Sequence, residues 1–205
     1  MWYGNVMNQR NLGKLECLEQ VTLQLEPEVD YKNVYGLLCS LCWVRVLTID
    51  LFTIQALFWE GCRPIQLHNI WWLRMDMHVL TNDLIPAMVS LFKGMPNLCT
   101  LHMVFMNINY SSVRCDHVAT SKFNLDYWEK QDLAFVHKLQ EVHMDLCEGS
   151  NAMHLARYIL GNAPALKYMI IYYPSKQLSV VHKLKKEKPV SNAKVIFKKA
   201  GEVWR

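Results

Sequence analysis

The sequence predicts an α/β fold of stacked units, a solenoid with a parallel sheet on one face and helices on the other. Two observations carry that expectation. A triplet of large apolar residues recurs at one internal spacing along the chain, and the segments between triplets have helical periodicity with turn residues at their ends.

The triplets come in the order Leu18/Val21/Leu23, Val44/Leu47/Ile49, Ile70/Leu73/Met75, Leu98/Leu101/Met103, Leu139/Val142/Met144 and Leu166/Met169/Ile171. Their starts are separated by 26, 26, 28, 41 and 27 residues. Four of those intervals fall within the period of leucine-rich repeats, roughly 20–29 residues. Side chains alternate along a strand, so each triplet reads as a turn residue followed by two inward positions of a short strand.

The intervening segments read as helices. Val34, Leu37, Leu38 and Leu41 form an apolar stripe in the first. In the segment from 81 to 98, Thr81 or Asn82 is placed to cap, Leu84, Met88, Leu91 and Phe92 form the stripe, and Gly94 and Pro96 end it. From 149 to 164, Ser150 or Asn151 is placed to cap, Met153, Ala156, Ile159 and Leu160 face inward, and Gly161 and Pro164 terminate. The long interval holds a more polar stretch from 109 to 132, expected as an extended connection with a short strand at Val118–Leu125 in place of a helix. A single unit cannot bury its own apolar face, but stacked neighbours can.

The chain has 205 residues, 52% hydrophobic and 20% charged, which suits a packed fold rather than a disordered one. The net charge is +4, but residues 176–199 carry eight Lys against one Glu, so the remainder is net negative. Seven scattered cysteines and the absence of a secretory signal pattern suit reduced thiols in a cytoplasmic or nuclear compartment. No apolar run is long enough to span a bilayer, so no membrane association is expected.

If the triplets point inward, the residues between them line the other sheet face. Trp72, Arg74, Asp76, His102, His143, Asp145, Tyr168 and Tyr172 are the candidate protein-binding residues on it. Thr22, Gln24, Thr48, Asp50, Thr100, Glu141 and Ile170 complete the face. Solenoids use such a face as an extended binding surface, and aromatic and Arg side chains are the usual interface anchors.

The segment from Leu139 to Pro174, followed by Ser191–Phe197, resembles the FBD domain at the C-terminus of plant F-box proteins. The resemblance rests on Leu139, Val142, Gly149, Leu155, Tyr158, Ile159, Leu160, Asn162, Ala163, Pro164, Leu166, Met169 and Ile171. It adds Ser191, Ala193, Val195 and Phe197 in a closing strand. It covers 95–205 well and 15–94 more loosely, and divides the chain into a leucine-rich-repeat-like region, 1–135, and an FBD-like region, 136–205. It implies a non-enzymatic interaction module, the substrate-recognition part of an F-box ubiquitin-ligase receptor, whose partner is a protein or ubiquitination substrate. The sequence has no F-box-like segment, so docking on a Skp-type adaptor is not expected of this chain alone. The alternatives are a truncated relic of such a receptor, or nucleic-acid binding through the Lys-rich C-terminal tail, which lacks the aromatic interleaving of single-strand binders.

No catalytic, cofactor or metal set is expected. Cys39-x-x-Cys42 lacks partners at zinc spacing, and Cys39, at the end of an apolar helix, reads as a buried thiol. Cys39 to Arg45 matches a phosphatase outline without the glycines that would cradle phosphate. His102 and His143 share a face, but two imidazoles alone do not make a metal site.

Overall fold

A computed structural model describes residues 18–25, 34–59, 61, 65–78, 80–105, 123–147 and 149–199. It is an α/β fold. Among the described residues seven parallel strands run in order: β1 (Gln20–Leu23), β2 (Val46–Asp50), β3 (Trp72–Met77), β4 (Thr100–Phe105), β5 (Glu141–Asp145), β6 (Tyr168–Tyr173) and β7 (Lys194–Lys199). They form one sheet in sequence order, each bonded only to its neighbours along the chain.

Between strands lie α1 (Val34–Ser40), α2 (Leu51–Trp59), α3 (Leu84–Lys93), α4 (Leu125–Glu129), α5 (Asn151–Asn162) and α6 (Leu178–Leu184). α1 packs on α2 and α2 on α3, and α5 packs on both α4 and α6. A 3-10 turn at Ala134–His137 fits between α3 and α5, with the Phe92 and Phe135 rings 4.7 Å apart. The long interval therefore does contain helix. Most of the expected strand at Val118–Leu125 lies outside the described residues, and Leu125 opens α4 instead, because Asn124 caps there by accepting from the Tyr127 N–H. Its side chain Trp128 is fully buried.

The inward positions behave as their apolarity requires. Leu47, Ile49, Leu73, Met75, Leu101, Met103, Val142, Met144, Met169 and Ile171 are all fully buried. Each contributes about 1.5–3 kcal/mol by leaving water. Parallel sheets are normally covered on both faces. Here the alternate residues stay partly exposed on most strands, so one face is covered and the other largely open. Leu18, the first member of the first triplet, is exposed.

The turns before the strands repeat in hydrogen bonding. The carbonyl of Glu19 accepts from Arg45 and Val46 N–H, that of Arg45 from Trp71 and Trp72, and that of Trp71 from Cys99 and Thr100. The same forked bond continues from Cys99 to Gln140 and Glu141, and from Gln140 to Lys167 and Tyr168. Asparagines reinforce it: Asn69 donates to the Cys42 carbonyl and Asn97 to the His68 carbonyl, from equivalent places three residues before β3 and β4.

Helix ends partly follow the sequence reading. At the end of α3 the Gly94 N–H donates to the Leu91 carbonyl and the Met95 N–H to the Phe92 carbonyl. The N-cap of α3 is Asp83, not Thr81 or Asn82, and makes no side-chain cap bond. Gly161 does not end α5, which runs one residue further, to Asn162. Asn151 does not cap; it is buried and its amide donates to the Leu80 carbonyl and Asn82 Oδ1, tying the start of α5 to the loop before α3.

Candidate functional site: the open sheet face

Parallel register arranges the open face into three rows. The first is Val46, Trp72, Thr100, Glu141, Tyr168, Lys194. The second is Thr48, Arg74, His102, His143, Ile170, Ile196. The third is Asp50, Asp76, Val104 on β2 to β4, and Asp145, Tyr172, Lys198 on β5 to β7. All eight candidate residues fall in these rows.

The register brings rings into contact. The His102 and His143 imidazoles stack with centroids 4.3 Å apart and planes 12° apart. Trp72 reaches diagonally to His102 at 5.0 Å. Along β5, His143 Nε2 lies 2.8 Å from Glu141 Oε1. His102 is lowered to about pKa 4, first by burial and then by the neighbouring His143, with Glu141 pulling the other way. It is therefore neutral at pH 7 and keeps a free lone pair.

The carboxylates of the third row are engaged within the fold. Asp50 accepts from Leu25 N–H through Oδ2, and from Thr53 N–H and hydroxyl through Oδ1. Asp145 Oδ2 accepts from Phe105 N–H at 2.8 Å, and burial raises its pKa. Asp76, only 8% exposed, pairs with Arg74 Nε at 2.7 Å. What the face offers outward is aromatic and basic: Trp72, the imidazoles, Tyr168 at 52% exposure, and Tyr172 with Lys198 Nζ 5.7 Å from its ring centre.

One expectation needs correction, and one gains a detail. Cys39 and Cys42 are exposed free thiols, not buried ones, because the buried stripe of α1 runs through Val34, Leu37 and Leu38 and leaves Cys39 opposite it. The two imidazoles are also not alone. His102, Glu141 and His143 each present a ligand atom, and these atoms lie within 4.8 Å of one another. The His pair was legible from strand alternation; Glu141 as its third member depended on the rotamer that turns it back onto His143.

No family model matches the chain, and no curated protein or solved structure matches it. Among the described residues, no helix is long and apolar enough to cross a membrane.

Proposed function

We propose that the chain is a leucine-rich-repeat-like solenoid that binds a protein partner on its open sheet face. The forked carbonyl bond before successive strands supports the repeat reading, since it gives each unit the same entry geometry. The observation that carries the functional reading is the row of outward rings from Trp72 through His102 and His143, flanked by Tyr168 and Tyr172. Large rigid rings on an uncovered face are the side chains that gain most from burial against a partner.

The face is a binding surface rather than an enzyme's active site in this reading. Its third-row carboxylates are satisfied internally, while Lys194 and Lys198 lie beside the tyrosines. That favours a partner surface offering carboxylates next to apolar groups. The resemblance to plant F-box/FBD proteins extends the proposal: the partner is a ubiquitination substrate, and the FBD-like turn Asn162-Ala163-Pro164, in which the Ala163 carbonyl accepts from Leu166 N–H, leads into β6 and its face residues.

A photo-crosslinker at Tyr168, on the face, and one at exposed Lys183, on α6, test this in cells. A discrete adduct from 168, absent from 183 and lost in the Arg74→Glu/Tyr172→Ala variant with unchanged circular dichroism, supports it. Equal adducts from both positions, or an adduct that survives the double substitution, rejects it.

A further inference from the structure

The geometry points to a transition-metal site on the sheet face: we propose that His102, Glu141 and His143 bind a borderline divalent ion, zinc foremost, with the remaining coordination positions open to solvent. The inference stands independently of the binding-module reading.

Register creates the site. Pairing of Thr100 with Glu141 and of His102 with His143 sets two imidazoles side by side on adjacent strands, with the carboxylate two residues away on the same face of β5. Strand alternation then points all three outward from the core. Two imidazoles and one carboxylate are the donor set that zinc, copper and nickel ions take, whereas calcium and magnesium prefer oxygen alone. Three protein ligands with open positions also match the pattern of accessible rather than closed zinc sites.

Distances are within reach of coordination. Bonds of about 2.0–2.1 Å around a tetrahedral ion place donors roughly 3.3–3.4 Å apart. The His143–Glu141 contact, at 2.8 Å, must open slightly. All separations lie within 4.8 Å, so any wider than roughly 3.4 Å must close. Rotation of the stacked rings about their terminal side-chain torsions, which are broad and soft, supplies both changes. Among the described residues, Arg74 is the nearby charge that opposes a cation, and Asp76 holds its guanidinium at 2.7 Å. All three donors are half-buried, enough to restrict their motion and still admit water.

The test uses the full chain after chelator treatment, titrated with zinc chloride by calorimetry and with cobalt(II) by absorption. Saturable one-to-one binding is expected, with a cobalt spectrum of nitrogen and oxygen ligation and no thiolate charge-transfer band. His102→Ala, His143→Ala and Glu141→Gln should each weaken zinc binding by at least ~10-fold, the loss typical of even an outer-sphere partner. Glu141, 44% exposed, serves as the variant whose folding is safe, checked by thermal melting. No saturable binding, affinity unchanged by Glu141→Gln and His102→Ala, or a thiolate band that assigns the ion to cysteines overturns the proposal.

Discussion

Gly94 and Ile65 meet so closely that a Cβ on Gly94 would stand 1.6 Å from the Ile65 carbonyl oxygen. The contact comes from the crossing of two turns, in which Leu67 N–H donates back to the Gly94 carbonyl. Gly94 has ordinary helical backbone angles, so space and not conformation demands glycine there. Gly94→Ala should lower stability by about 1–3 kcal/mol, the usual range for overpacking against an atom that cannot yield. Gly161→Ala is the matched control. It sits near the end of α5 with nothing within 4 Å of the new carbon and should raise stability by about 0.5 kcal/mol through helix propensity. Urea denaturation of both variants reads the pair.

Asp50 joins three donors from two elements, Leu25 N–H beyond β1 and the Thr53 N–H and hydroxyl in α2. Asp50→Ala removes a helix cap and a cross-strand link together. A loss of about 2 kcal/mol is expected, with Asp50→Asn losing less because one carbonyl oxygen can still accept. Chemical denaturation should rank them in that order.

Asn151 donates its amide toward two oxygens, the Leu80 carbonyl and Asn82 Oδ1. Asn151→Ala leaves the Leu80 carbonyl short of a donor and should cost about 1–3 kcal/mol. Asn151→Asp keeps the shape but replaces the donor with an acceptor facing acceptors. Its midpoint of thermal unfolding should therefore fall at least as far at neutral pH.

Tyr158 ties the α4–β5 connection to α5 by accepting Leu133 N–H on its hydroxyl. Burial raises its pKa above the ordinary 10.0, partly offset by that hydrogen bond. The unfolded chain therefore ionises first as pH climbs. The stabilisation is full below pH 10 and declines as pH rises through the raised value. Tyr158→Phe should cost about 1–3 kcal/mol at pH 7 by stranding the Leu133 N–H. The gap between wild type and variant should narrow above pH 10 in paired denaturation curves.

The strands β2 to β6 were legible because a turn residue and two inward positions, as in Leu98, Leu101 and Met103, are large and apolar in each. β7 escapes that pattern. The place held by Leu139 or Leu166 in earlier units is Asn192 here, and Val195 and Phe197 stay partly exposed at the sheet edge. Only the family resemblance marked it. The helix at Leu125–Glu129 was illegible for another reason: its stripe is too short for periodicity, and it is secured by one cap and the burial of Trp128. At the face, alternation placed the eight candidate side chains correctly in rows. It could not show that Asp76 and Asp145 spend their charges inside the fold, since those partners are the Arg74 side chain and the Phe105 backbone at distances set by packing.

Strand order that follows chain order has a mechanical meaning. Among the described residues no strand is clamped between segments distant in sequence, so each strand pairing closes a loop between consecutive strands. Such a chain, pulled from its two ends, should come apart by peeling rather than by a single rupture, losing β1 or β7 first and shedding length in steps of one unit. Optical-trap extension would show a sawtooth of small, similar increments, with a larger step where the interval between β4 and β5 is released.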